Sequence, residues 1–207
     1  MMKTKIVNEN NLLYAVEVLK SGGLVGVPTE TVYGLAGNGL DASAVARIYE
    51  VKGRPEVKPL SLLVADIDIA ATVCAGIPKS AQLLAQAFWP GPLTIVLPKR
   101  DTVPYIVTAG GNTVGVRCPD HPLTLELLRL AGVPAAAPSA NISDMPSPKS
   151  AEEVLAYFDG KINCVIDGGR CKLGVESTIV SLTTHPYKIL RQGALSEERI
   201  RNVLGLG

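Results

Sequence analysis

The chain has 207 residues, enough for one sizeable core or at most two small ones, and 47% of them are hydrophobic against 19% charged. A net charge of +1 argues against the broad basic face of a nucleic-acid-binding protein, although a local basic cleft remains open. No apolar run approaches the ~18 residues of a bilayer span. The first ten residues lack the apolar core of a signal peptide, so the expected setting is cytoplasmic, with no membrane partner.

Leu12, Leu13, Val16 and Leu19 recur at helical spacing and predict a helix over 10–20 that stops at Gly22-Gly23. A short apolar strand over 24–27 follows. Asp41 is the expected N-cap of a second helix, with Val45, Ile48 and Tyr49 on one face and an end near Gly53. Residues 60–64 read as a buried strand and 78–88 as a helix. Strands at 93–97 and 114–116, a helix at 122–131, a strand at 134–137 and a helix at 150–158 come next. Strands at 163–166, 177–182 and 187–190 precede a short helix from Ser196. This alternation predicts a single α/β (α+β) domain over 1–207, its sheet flanked by helices. The last strands leave no room for helical crossovers, so the sheet should mix parallel and antiparallel pairs.

Residues 52–59 read Lys-Gly-Arg-Pro-Glu-Val-Lys-Pro, three cations within seven residues. The prolines and the glycine disfavour helix, so Lys52, Arg54 and Lys58 are expected on a stiff loop. Such a cluster fits a solvated turn or a site for a concentrated anion such as a nucleotide triphosphate. Polar segments also close three strands: Val27-Pro-Thr-Glu-Thr-Val-Tyr33, Thr113-Val-Gly-Val-Arg117 and Ala137-Pro-Ser-Ala-Asn141, with Ser147 shortly after. Taken singly, their Thr, Ser and Asn residues serve as turn caps as readily as ligand contacts.

Other chemistries find little support. The cysteines (Cys74, Cys118, Cys164 and Cys171) form no C-x-x-C pair, and His121 and His185 are not spaced as zinc ligands, so no metal site is expected. Gly160-Lys161 is followed by Ile162, which breaks a Walker loop, and Gly34-Leu-Ala-Gly-Asn-Gly39 does not match G-x-G-x-x-G. Gly168-Gly169 is expected to be a turn that lets the backbone approach a ligand.

Together, the Lys-x-Arg, Pro-Thr-Glu-Thr, Thr-Val-Gly-Val-Arg, Ser-Ala-Asn and Pro-Ser-Pro segments resemble the YrdC/Sua5 family, the threonylcarbamoyl-adenylate synthases, over roughly residues 8–195. The resemblance implies a twisted mixed sheet with a concave basic cleft. It implies a reaction joining L-threonine, bicarbonate and ATP into threonylcarbamoyl-adenylate and pyrophosphate, for the t6A modification of tRNA. Lys52, Arg54, Ser139 and Asn141 match the family's central phosphate-facing tetrad. Its other ATP contacts fall on Lys58, Thr113, Ser147 and Arg191. Its threonine site falls on Thr31, Arg117 and Ser177, with Leu63 and Ala137 contributing backbone or packing.

In that site Arg117 would hold the substrate carboxylate, and the competing role for it is a structural salt bridge. Mg2+ is expected on the ATP phosphates without a protein cage. Downstream tRNA threonylcarbamoyl transferase proteins are the expected partners. One alternative is an RNA-binding module, which two Phe and one Trp equip poorly for base stacking. Another is a carbamoyl-adenylate-forming domain acting on another substrate, as in hydrogenase maturation factors, without their acylphosphatase and zinc-finger segments. The second domain of longer Sua5-type members is not expected in a sequence ending at Gly207.

Overall fold

The computed structural model describes residues 3–205, so the expected domain limits, Met1 and Gly207, lie outside the described residues. The strands are β1 (Lys5–Val7), β2 (Val25–Val27), β3 (Gly34–Asn38), β4 (Ser61–Leu63), β5 (Leu93–Pro98), β6 (Thr113–Arg117), β7 (Ala135–Ala136), β8 (Cys164–Ile166), β9 (Thr178–Ser181) and β10 (Lys188–Arg191). They form one mixed sheet in the order β1-β8-β2-β3-β7-β4-β6-β5-β9-β10. The β1–β8, β8–β2, β4–β6 and β5–β9 pairs are parallel. The others are antiparallel, including the late β9–β10 pair.

The helices are α1 (Leu12–Lys20), α2 (Ala42–Lys52), α3 (Ile67–Val73), α4 (Lys79–Phe88), α5 (Pro122–Ala131), α6 (Ala151–Phe158) and α7 (Glu197–Val203). Their ends follow local chemistry. The Asp41 carboxylate accepts the Ser43 N–H at the start of α2, and Gly53 closes it at φ +57°. The Ser150 side chain accepts from the Glu153 N–H to open α6.

Three elements escape the sequence pattern. α3 buries only Ala70 and Val73, too few positions for a period to show. β1 is three residues long. β3 is glycine-rich, yet it is a strand because it pairs with β2 and β7, and Leu24 and Ile48 would stand 3.1 and 3.2 Å from a Cβ on Gly37, which leaves little room for any side chain there. The expectation of a loop for Lys52 is also corrected. It is the last residue of α2 and one of the largest fully buried side chains, because the helix runs on until Gly53 supplies the left-handed turn.

Alternation along the strands places the two faces in different surroundings. On β4, β5 and β6, Leu62, Ile95, Val114 and Val116 enter one core with α2, α3 and α4. On the opposite face, Leu63, Val25, Val27, Ala135 and Ile166 form a second core under α1 and α5. Those two helices cover only part of that face. Beyond them Ser61, Leu63, Thr94, Arg117 and Ile179 of β4, β5, β6 and β9 line a cavity.

Gly115 sits on the same face, paired with Ser61 and two residues from Arg117. A Cβ there would stand 2.9 Å from Ser61 Oγ and 3.1 Å from Thr94 Cγ2. Gly115→Ala is therefore expected to lower stability by about 1–3 kcal/mol, measured by denaturant unfolding, because strands on both sides must give way.

Candidate functional site

The cavity has a volume of about 310 Å³ and is walled by the sheet, the 29–34 segment, Arg54, the 137–139 turn, Glu176-Ser177 and Arg191. The 29–34 segment is held by backbone bonds to its neighbours: Tyr33 N–H donates to Pro148 O at 2.9 Å, and Ala140 N–H donates to Tyr33 O at 2.8 Å. All five residues implied for an amino-acid site, Thr31, Leu63, Arg117, Ala137 and Ser177, line this one space. Of the implied phosphate contacts, Arg54, Ser139 and Arg191 line it. Lys52, Lys58, Thr113, Asn141 and Ser147 are not in its wall.

Arg117 is 7% exposed and pairs through Nη2 with Glu30 Oε2 at 2.8 Å; Glu30 itself is 4% exposed. The same Nη2 donates to Thr31 Oγ1 at 2.9 Å, and Nε donates to Gly91 O at 3.2 Å. Burial lowers the guanidinium's pKa and the Glu30 carboxylate opposes that shift. Nη1 has no partner among the described residues. These contacts fix the guanidinium and leave a single nitrogen of it unengaged. Glu30 Oε2 also accepts the Asp120 N–H at 3.0 Å, while Oε1 is buried without a partner.

Lys52 does not present its charge to the cavity. Its Nζ donates to the backbone carbonyls of Ser139 and Asn141, tying the end of α2 to the turn that carries both residues. Burial pulls this ammonium from its ordinary 10.5 down to about 7, Arg54 pushes the same way, and Glu176 opposes both. The Asn141 side-chain amide donates to Ile142 O and Met145 O at 2.8 and 2.7 Å. Its buried atom without a partner is Oδ1, an acceptor, which suits a donor or a cation and not a phosphate oxygen.

Arg54 is braced by Lys58 O and Pro59 O at 3.3 and 3.1 Å, and its pKa is lowered chiefly by burial. Lys58 is exposed and lies 3.7 Å from Asp144. Ser177 Oγ bonds Thr94 Oγ1 at 2.9 Å. Arg191 donates through Nε and Nη2 to Ser177 O and pairs with Glu176. The cations expected to converge between residues 52 and 58 are therefore split among three settings: one buried strut, one cavity wall and one surface pair.

Two carboxylates, Glu30 and Glu176, complete the site and were not singled out from the sequence. Glu30 sits between Thr29 and Thr31 in a segment that the fold buries, where an acid needs a cationic partner, but neither carboxylate is near its arginine in sequence. Gly168 is tight for an internal reason: a Cβ there would meet the His121 ring at 2.5 Å, and the Gly168 N–H donates to the Tyr33 hydroxyl. Burial pushes the thiols of Cys74 and Cys118 up to about 11 and that of Cys164 to about 12, far from thiolate chemistry. A larger groove of about 700 Å³ runs beside α3 and α4, lined by Ile67, Ala71, Ala85 and Trp89, and none of the implied contacts reaches it.

These features gather three guanidinium groups, Arg54, Arg117 and Arg191, in the wall of one cavity. A family model described as telomere recombination, that of Sua5, YciO and YrdC, matches residues 17–193. The chain belongs to this Sua5/YciO/YrdC family. The threonylcarbamoyl-AMP synthase of Pyrococcus abyssi is 49% identical over 96% of the chain, and that of Bacillus subtilis 45% over 96%. The chain spans 58% of the length of each of these relatives. A putative threonylcarbamoyl-AMP synthase of Methanocaldococcus jannaschii is 34% identical, with 96% of the chain covering 98% of that protein. A crystal structure of P. abyssi Sua5 complexed with L-threonine superposes with a TM-score of 0.95 at 48% identity, covering 98% of this chain and 61% of that one.

Arg117→Ala is expected to destabilise the protein by about 3–5 kcal/mol in denaturant unfolding, since it leaves the Glu30 carboxylate buried without its cation. The double variant Glu30→Leu/Arg117→Met should recover much of that loss.

Lys52 carries a pH signature. Its folded pKa lies below the unfolded one, so between about 7 and 10.5 the unfolded chain binds the extra proton. The stability of the native protein relative to Lys52→Met should fall as pH drops from about 10.5 to about 7, and stay level below that. Parallel melting curves across this range check the sign.

Proposed function

We propose that the chain is a threonylcarbamoyl-adenylate synthase, joining L-threonine, bicarbonate and ATP into threonylcarbamoyl-AMP with release of pyrophosphate. The observation that carries this reading is the presence in one cavity of a buried, pre-fixed guanidinium, Arg117, and two phosphate-type guanidinia, Arg54 and Arg191. The names of the Pyrococcus and Bacillus relatives support it, as does the threonine complex of P. abyssi Sua5.

In this reading Arg117 takes the threonine carboxylate, the Thr31 and Ser177 hydroxyls flank it, and Leu63 and Ala137 limit the size of the side chain accepted. Arg54, Arg191 and Ser139 receive phosphate oxygens within the cavity, with Lys58, Thr113 and Ser147 serving the triphosphate beyond it. Lys52 acts by holding the 139–141 turn in place.

The nucleophile is a carbamate oxygen, the carbamate being made from the threonine amino group and bicarbonate as a C–O bond of bicarbonate breaks and water leaves. It is already anionic, so it attacks the α-phosphorus without a strong base, and the bond to the bridging oxygen breaks with its electron pair leaving on pyrophosphate. Alignment and charge neutralisation are what the protein must supply. That matches a cavity whose wall, among the described residues, holds Arg, Ser and Thr side chains but no Cys or His.

Mg2+ fits as a companion of the phosphates. Among the described residues no group of three or more His, Cys, Asp or Glu forms a metal cage. Asn141 Oδ1, a buried oxygen without a partner, is the atom that would face the ion. When bound there, the cation would neutralise phosphate charge. The product is a mixed anhydride, which a separate tRNA threonylcarbamoyl transferase would consume. Among the described residues no helix is long and apolar enough to cross a membrane, and a cytoplasmic setting accompanies this reading.

The purified protein should release pyrophosphate from ATP only when threonine and bicarbonate are both present, and release with ATP alone would sink the assignment. Arg54→Ala should slow turnover about a hundredfold through loss of one preorganised donor, with little change in melting temperature. Arg117→Lys should raise KM for threonine far more than KM for ATP, because an ammonium held by Glu30 has no second amino group like Nη1 to offer the carboxylate.

A further inference from the structure

The cleft contains a carboxylate of its own among the groups assigned to phosphate. Glu176 Oε2 lies 2.5 Å from Arg191 Nη1, and Glu176 Oε1 accepts from Ser147 Oγ at 3.0 Å. Both oxygens are thus engaged by donors that the proposed function gives to ATP. A carboxylate and a phosphate present the same kind of anionic oxygen to a guanidinium and a hydroxyl. The Glu176 charge is also felt beyond them, since it raises the pKa of Lys52 and of Arg54.

The surroundings separate what can move from what cannot. Ala194 N–H donates to Glu176 O at 2.9 Å, and Gly193 packs so closely that a Cβ there would stand 2.3 Å from the same oxygen. The backbone at residue 176 is therefore pinned, and its side chain is the mobile part. Arg191 is anchored independently, with Nη2 donating to Ser177 O at 2.8 Å and to Ser177 Oγ at 3.1 Å. Rotating Glu176 away would free Arg191 Nη1 without releasing the guanidinium.

We propose that Glu176 is an internal stand-in for phosphate: it occupies Arg191 Nη1 and Ser147 Oγ, and the triphosphate must displace it to bind. The proposal rests on the nucleotide reading of the cleft. Displacement has a fixed cost, so Glu176 lowers affinity for nucleotide. After pyrophosphate leaves, its return to Arg191 opposes rebinding. The two side chains are 41% and 37% exposed, so solvent screens the pair and the cost is modest.

The test is calorimetric titration of ATP, with divalent cations chelated, into the wild-type protein, Glu176→Gln and Glu176→Asp. Glu176→Gln should bind ATP about fivefold more tightly, with threonine affinity unchanged. Glu176→Asp keeps the charge but is one methylene shorter, so it should fall between the two and provides the test if the Gln variant does not fold. Unchanged or weaker ATP binding by these variants overturns the proposal. So does a weakening seen only with Mg2+ present, which would make Glu176 a metal ligand. Failure of the wild-type protein itself to bind ATP would instead remove the nucleotide reading, and this proposal with it.

Discussion

A cation can be buried only if oxygen atoms come to meet it, and in this protein two buried cations set the shape of the cleft. Arg117 draws Glu30, Thr31 and Gly91 onto the end of β6, which fixes the 29–34 segment against the sheet. Lys52 draws the carbonyls of Ser139 and Asn141 onto the end of α2, which fixes the turn after β7. These two struts hold adjoining walls of one cavity, joined by the Gly34–Ser139 bridge, although only Arg117 reaches into it. The partly covered sheet provides the floor, because α1 and α5 pack over other strands of the same face.

Most of the architecture is legible in local chemistry. The N-cap at Asp41, the left-handed stop at Gly53 and the apolar period of α1, α4 and α5 are all signals that a few neighbouring residues carry. What escaped depends on distant contacts. β3 is a strand because β2 and β7 flank it, and its glycines say nothing of that by themselves. α3 follows from Asp66, whose side chain accepts the Ile69 N–H, but seven residues leave its period invisible.

The site was legible in kind more than in place. Loops of Thr, Ser, Asn and Arg at strand ends signal a polar cleft, and the structure gathers Thr31, Arg54, Arg117, Ser139, Ser177 and Arg191 around one space. Lys52 illustrates the failure: proline and glycine downstream made a loop plausible, while burial depends on carbonyls 87 and 89 residues away. Glu30 and Glu176 escaped for a related reason. Each matters through an arginine distant in sequence, and no spacing rule links them.

The near-neutral charge of the chain has a counterpart inside the cleft. Both Arg117 and Arg191 already carry a carboxylate, so the site holds its arginines in place without concentrating unbalanced charge. The two carboxylates differ in what they permit. Glu30 is sealed, with side-chain exposure of 5%, and its removal would leave Arg117 uncompensated, so it belongs to the scaffold. Glu176 shares the cavity wall with Arg191 and is open to solvent, so another anion can take over its partner at modest cost. Burial therefore decides which ion pair is permanent and which is exchangeable. It also gives the two guanidinium groups of one cavity different settings: Arg117 is locked to a sealed carboxylate, and Arg191 is paired with one that solvent reaches.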